Sequence, residues 1–242
     1  MAGPLLLHRV RAVNTVAESE NKIHDDRIAS QYGFRAGLVA GTTVYGYMMA
    51  PIAESAPAWL EHGSITLRLI EPFYDGDEVT VRAEVDDDGS IRVTAERADG
   101  TVCAQAAGLV RRDSRTAPAA YAEAPLPAME QRLTAARDTL VPGALLGTVK
   151  LRLDAADPGR LLQLSNDILV RNFRLAPWIH TASEVDNWGV VKVGDEIEVR
   201  GRIHDRFDRK GHELAALDVM LLASGGRLIQ TVRHTAIYRL RS

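Results

Sequence analysis

The stretch that decides the fold occurs twice in this chain of 242 residues: residues 76–85 read GDEVTVRAEV, and residues 194–203 read GDEIEVRGRI. The second copy begins 118 residues after the first (194 − 76), close to half of the chain length. In each copy a Gly-Asp turn opens an alternating run of apolar and polar residues, which predicts a half-buried strand. A repeat of this length predicts two copies of one small domain rather than a solenoid.

Further strand patterns surround each copy in the same order. An extended apolar segment precedes the copy, and two strand-like runs joined by a turn follow it. These segments are residues 64–70, 91–96 and 102–110 in the first half, and residues 179–185, 212–222 and 228–238 in the second. Each half is therefore predicted to end in a meander of antiparallel strands.

A helix is predicted ahead of the meander in each half. Apolar residues recur at three- and four-residue spacing over 42–53, which indicates an amphipathic helix. Residues 160–170 are apolar on more than one side, as in a buried helix. The first half begins with a predicted strand over 5–14 and a short helix over 24–31, whereas the second begins with a strand over 147–153.

The two halves are joined by residues 117–142, which are rich in alanine and proline. We interpret them as a linker that contains a helical piece over 129–139. The chain then divides into an N-terminal domain of residues 1–116, this linker, and a C-terminal domain of residues 143–242. The C-terminal domain is truncated before its helix, because only the short connector 154–159 precedes that helix.

Composition and charge exclude several classes of function. The chain is 46% hydrophobic and 25% charged, which is typical of a soluble globular protein. The net charge of −3 is spread along the chain, so no nucleic-acid partner is expected. The apolar run at residues 5–7 is too short for a membrane span or a signal peptide, and Cys103 has no second cysteine to pair with. We expect a cytoplasmic protein without membrane contact.

Two adjacent segments carry the candidate chemistry: residues 19–24 read SENKIH, and residues 32–41 read YGFRAGLVAG. His24 can move protons near neutral pH. A helix that begins near Gly41 directs unpaired backbone N–H groups at whatever lies in front of it. A base beside such a helix end suits chemistry next to a carbonyl group.

This order of residues resembles the motif of the MaoC-like, R-specific enoyl-CoA hydratases. That motif reads Asp-x-Asn-Pro-x-His and continues through an apolar, Phe-containing stretch to a glycine that opens a central helix. Asn21, His24, Phe34 and Gly41 match it, whereas Ser19 stands where the family has aspartate. The resemblance implies an α+β double hotdog fold, in which two antiparallel sheets, each wrapping a central helix, are fused in one chain.

The resemblance also implies an activity: an enoyl-CoA hydratase or acyl dehydratase, a lyase of fatty acid metabolism that acts at the β-carbon of an acyl-CoA or acyl-carrier thioester. His24 is then the acid/base. Asn21 orients water or substrate, or caps the short helix at His24. The backbone at Gly41, flanked by Phe34 and Val39, binds the thioester oxygen. Coenzyme A enters only as part of the substrate, and no cofactor or metal is expected.

Ser19 leaves alternatives open. The related hydratases are understood to use an Asp and His pair around one water, and a hydroxyl group is not a base at neutral pH. Glu20 or Glu18 either supplies a carboxylate from a shifted backbone or is a solvated loop acid. The other functions considered are a hotdog thioesterase and a non-catalytic acyl-CoA binding protein. The fused halves allow a monomer, which is a pseudo-dimer, or a homodimer.

Overall fold

An antiparallel sheet of ten strands dominates the computed structural model, which describes residues 3–111, 115–175 and 177–241. The strands are β1 (Leu5–Arg11), β2 (Gly63–Leu69), β3 (Glu78–Val85), β4 (Ser90–Arg97), β5 (Val102–Val110), β6 (Leu133–Thr134), β7 (Leu145–Arg152), β8 (Phe173–Arg174), β9 (Ile179–Asn187), β10 (Glu196–Arg209), β11 (His212–Ala223) and β12 (Arg227–Arg239). The helices are α1 (Asp26–Gln31), α2 (Gly41–Ser55), α3 (Trp59–His62) and α4 (Pro158–Asn172).

The sheet consists of two halves that join at one seam. Its strand order is β1-β3-β4-β5-β2-β9-β12-β11-β10-β7, so each half of the chain contributes five neighbouring strands. At the seam β2 pairs with β9 from Ser64 opposite Asp186 to Arg68 opposite Ala182. The two repeated Gly-Asp-Glu segments start β3 and β10, as the sequence predicts. The predicted two antiparallel sheets are therefore present, and the seam makes them continuous.

One long helix from each half packs against this sheet. Helix α2 contacts β1, β3, β4 and β9, and helix α4 contacts β7, β10 and β12. Met48 and Ile52 of α2, and Leu164 and Ile168 of α4, are fully buried. Helix α2 contains the predicted residues 42–53, and helix α4 contains the predicted residues 160–170. The spacing of apolar residues therefore predicted both helices. Within the described residues, no helix combines the length and apolar character that a membrane span needs.

The two long helices touch each other at a pair of glycines. A Cβ atom on Gly46 would lie 3.3 Å from the Cα of Gly159, and a Cβ on Gly159 would lie 3.0 Å from the Cα of Gly46. A side chain at either position would therefore press on the facing backbone. The glycine pair lets α2 and α4 approach until their backbones meet.

The predicted helix over 129–139 is wrong. The structure has a 3-10 turn at Met129–Gln131 and then the short strand β6, which runs parallel to β8. The guanidinium of Arg132 is mostly buried and bonds Glu20 and the backbone carbonyl of Phe173, which requires an extended chain at this point. Thr139 accepts a bond from the backbone N–H of Ala136, so local polar contacts also compete with a helix.

Replacing Gly46 with leucine tests the helix contact. We expect Gly46→Leu to lower the free energy of unfolding by about 1–3 kcal/mol, because the added side chain overpacks the interface with Gly159. Ala50→Leu on the exposed side of the same helix should change it by no more than about 0.5 kcal/mol. Urea unfolding of both variants measures the difference, and equal effects would contradict the proposed contact.

Candidate functional site

The ring of His24 is fixed by one strong backbone bond. His24 ends a 3-10 turn at Lys22–His24, and its Nδ1 lies 2.6 Å from the carbonyl oxygen of Leu38. A carbonyl oxygen only accepts, so Nδ1 carries the proton and Nε2 carries the lone pair. Burial lowers the pKa of His24 below its ordinary value, and the bond to Leu38 partly opposes this. At neutral pH His24 is therefore an unprotonated base.

Asn21 connects this histidine to the second half of the chain. Its Oδ1 accepts from the backbone N–H of Trp178 at 3.0 Å, and its Nδ2 donates to the carbonyl of Trp178 at 2.7 Å. The same Nδ2 lies 3.3 Å from Nε2 of His24, to which its second hydrogen can point. The predicted capping role is wrong, because the side chain makes no cap bond in the described structure. Asn21 instead joins the two halves beside the base.

The start of α2 is open towards the site. Its N-cap residue is Ala40, and no described side chain caps this end, so its first backbone N–H groups are left without helical partners. The corresponding helix α4 differs, since Asp157 accepts from the backbone N–H of Arg160 at 3.0 Å. Of the two long helices, α2 alone presents a free N-terminus in the described part of the chain.

A cavity of about 230 Å³ lies between the two halves in front of this helix end. His24 and Gly41 both line it, and so do the predicted Phe34 and Val39. Most of its wall is apolar, including Val44, Leu69, Phe73, Ile179 and Ile237. The structure thus brings the base, the open helix end and an apolar chamber together.

A second, more polar cavity of about 470 Å³ shares His24, Asn21, Ala40, Asn166 and Trp178 with the first. Charged residues line it: Arg160 binds Asp167 at 2.7 Å across its wall, and Lys150, also in the wall, binds Glu198 outside it at 3.1 Å. His24 therefore lies where an apolar chamber meets a polar one.

Ser19 and Glu20 line the second cavity rather than the first. The carboxylate of Glu20 binds Arg132 at 3.0 Å, and the hydroxyl of Ser19 donates to the carbonyl of Asn21 at 3.3 Å. The carboxylate that the motif places at position 19 is missing, and Glu20 is held by its ion pair.

His180 is a site residue that sequence reasoning missed. It is the second residue of β9, lines the first cavity and lies against the start of α2: a Cβ atom on Gly41 would be 2.6 Å from its Nδ1. No spacing in the sequence connects residue 180 with residue 24. Only the pairing of β2 with β9 brings His180 to the site.

Comparison with solved structures shows the fold. A MaoC domain protein dehydratase from Chloroflexus aurantiacus aligns over 100% of this chain and 96% of its own, with a TM-score of 0.68 and 10% identity. A Mycobacterium tuberculosis protein with a double hotdog fold aligns over 98% and 96%, with a TM-score of 0.64 and 15% identity. An acyl-CoA thioesterase II from Mycobacterium marinum aligns over 84% and 90%, with a TM-score of 0.60 and 14% identity. No protein-family model and no curated protein matches the chain significantly. The chain has the double hotdog fold that the sequence predicted.

Because His180 and His234 are buried, we expect the free energy of unfolding to fall in acid. Burial lowers the pKa of His180 to about 4 and that of His234 well below its ordinary 6.5. The unfolded chain therefore binds protons more readily below about pH 6.5, and the free energy of unfolding falls as the pH drops from there towards 4. Urea unfolding at about pH 7.5, 6 and 5 measures this slope.

A matched pair of variants separates these histidines from the acidic side chains. His234→Phe removes one buried titrating group and should flatten the slope between about pH 6.5 and 5. His62→Phe alters an exposed histidine on α3 and should leave the slope unchanged. Identical slopes in the two variants would show that His234 does not titrate in this way.

Proposed function

We propose that this chain adds water to, or removes it from, the β-carbon of an acyl thioester. The observation that carries the proposal is that His24, whose ring is fixed by the bond from Nδ1 to Leu38, and Gly41 at the uncapped N-terminus of α2 line the same cavity. A base and an anion-stabilising helix end are the two groups that this reaction needs. The double hotdog fold agrees with this chemistry without deciding it.

The proposed step uses few groups. His24 takes a proton from water through Nε2, and the water oxygen bonds to the β-carbon of the enoyl thioester. The electrons of the double bond move towards the thioester oxygen, which becomes negative and is stabilised by the backbone N–H at Gly41. His24 then returns the proton to the α-carbon. Dehydration runs through the same step in reverse.

The two cavities suggest how the substrate lies. An apolar acyl chain fits the first cavity, whose wall includes Phe34, Leu69 and Phe73. The polar carrier, either coenzyme A or a carrier-protein arm, fits the second cavity. The thioester group then lies between them at His24. Asn21 positions the ring of His24: its bond to Trp178 holds Nδ2 3.3 Å from Nε2, and the reacting water replaces that contact when it donates to Nε2.

Turnover of crotonyl-CoA and longer enoyl-CoAs tests the proposal. Loss of the enoyl absorbance without release of free thiol supports it, whereas thiol release would identify a thioesterase. Binding without either change would identify an acyl-thioester binding protein. We expect His24→Ala to lower kcat by about a hundredfold or more, because it removes the base. His62→Ala, an exposed histidine on α3, serves as the control and should retain full activity.

Asn21→Asp tests how the base is held. The new carboxylate would put an acceptor where Nδ2 now donates to Nε2 of His24, and a nearby negative charge favours the imidazolium form. The pKa of His24 should therefore rise, and the acid limb of the pH–rate profile should move up by about one unit or more. Activity lost at neutral pH should return at higher pH. An unshifted profile would show that Asn21 does not contact the working nitrogen.

A further inference from the structure

The start of β9 contains an irregularity that turns two polar side chains to the same face. His180 pairs with Ala236 and Ala182 pairs with Thr235, so the strand register skips Thr181, whose hydroxyl donates to the carbonyl of Thr235. A bulge of this kind re-aims side chains, and here it places His180 and Ser183 together although they lie three residues apart. The ring of His180 is 2.8 Å from the hydroxyl of Ser183.

The protonation of His180 follows from its neighbours. Its Nε2 lies 3.2 Å from the carbonyl oxygen of Ala182, which can only accept, so Nε2 carries the proton. The lone pair is then on Nδ1, the atom that faces Gly41. Burial keeps the pKa of His180 low, so the ring is neutral at physiological pH.

A second buried histidine supports this arrangement from behind. Ser183 can accept from Nε2 of His180 and donate to Nδ1 of His234, which lies 3.2 Å away. The two rings are in contact, with centroids 4.1 Å apart and planes tilted by 31°. Ala182, Ser183 and His234 thus hold His180 in the tautomer that is protonated at Nε2, and these contacts do not engage Nδ1.

Nδ1 of His180 is buried yet has no hydrogen-bond partner among the described residues. Leaving a buried acceptor unpaired costs free energy, so a donor that binds in the cavity and pairs with Nδ1 is favoured. His180 is only 8% exposed and lines the cavity that also contains His24. Because the ring lines the cavity, its unpaired Nδ1 is an acceptor that a donor in the cavity can use.

The two imidazole rings lie at opposite ends of one short segment, residues 38–41. His24 bonds the carbonyl of Leu38, and His180 lies against Gly41, three residues further along. Both rings therefore lie along one segment of four residues, and both line the first cavity. The Nδ1 lone pair of His180 is unpaired, and the Nε2 lone pair of His24 can exchange its 3.3 Å contact with Asn21 for one hydrogen of a water molecule.

We propose that His180 is a second catalytic residue, which accepts one hydrogen of the reacting water while His24 accepts the other. This inference rests on the proposed function. His180 from the second half would then do the work of the carboxylate that is absent at Ser19.

The reaction stays balanced with this addition. The O–H bond directed at His24 breaks, its proton moves to Nε2, and the oxygen bonds to the β-carbon. His24 later gives that proton to the α-carbon. His180 remains neutral throughout, and its Nδ1 keeps its bond to the second hydrogen, which becomes the hydroxyl hydrogen of the product.

Two substitutions of His180 test the role by kinetics. His180→Leu removes the acceptor, and we expect kcat for crotonyl-CoA to fall about a hundredfold, while the Kd of the unreactive butyryl-CoA stays within about twofold. His180→Asn can place an amide oxygen near the position of Nδ1 and should recover at least about tenfold of that loss. His234→Phe also disturbs the buried cluster but leaves the cavity wall intact, so its kcat should fall less than that of His180→Leu.

Ring-nitrogen NMR of the wild-type protein gives a readout that needs no turnover and no variant. The hydroxyl of β-hydroxybutyryl-CoA should donate to Nδ1 of His180 and shift its signal, whereas butyryl-CoA, which lacks that hydroxyl, should shift it less. Equal shifts, or a His180→Leu variant that folds and keeps its kcat, would overturn the role of His180. A wild-type protein that binds β-hydroxybutyryl-CoA with the expected shift but never hydrates an enoyl-CoA would instead overturn the proposed function.

Discussion

The close approach of helix α2 to the second half of the chain is the constraint on which the site depends. At Gly46 and Gly159 the two long helices meet backbone to backbone, and at Gly41 the first turn of α2 lies against His180 with no room for a Cβ atom. Close-packed contacts of this kind leave little freedom, so the free N–H groups of α2 are placed by packing rather than by a mobile loop. Asn21, in the loop before α1, also contributes to this interface. Its side-chain amide bonds both the backbone N–H and the backbone carbonyl of Trp178.

The two halves share one arrangement of strands and a helix, but they contribute different groups to the candidate site. The offset of 118 residues that relates the repeated strands also relates Gly41 to Gly159 (159 − 41). The side chain of Asp157 caps the N-terminus of α4, whereas no described side chain caps the N-terminus of α2 after Ala40. A long segment with the base precedes α2, and only a short connector precedes α4. The second half contributes instead through β9, which reaches the open helix end from across the seam.

Local pattern was enough to predict the elements but not their polar contacts. The strands β3 and β10 and the helices α2 and α4 follow from periodic burial of apolar residues, which depends on neighbours along the chain. The segment 129–139 was mispredicted because a distant pair, Arg132 with Glu20, and the pairing of β6 with β8 decide its course. Alanine-rich composition favours a helix by only a few tenths of a kcal/mol per residue, which such contacts readily exceed.

By itself the sequence determined that this chain is a duplicated α+β domain with a histidine and an open helix start in its first half, because repeats and short motifs are written in consecutive residues. Only the tertiary structure decided what surrounds them. It turned Asn21 away from a cap towards Trp178, engaged Glu20 with Arg132 and brought His180 to Gly41. The physical reason is that hydrogen bonds and close contacts between residues more than a hundred positions apart depend on strand register and helix packing, which no local spacing records.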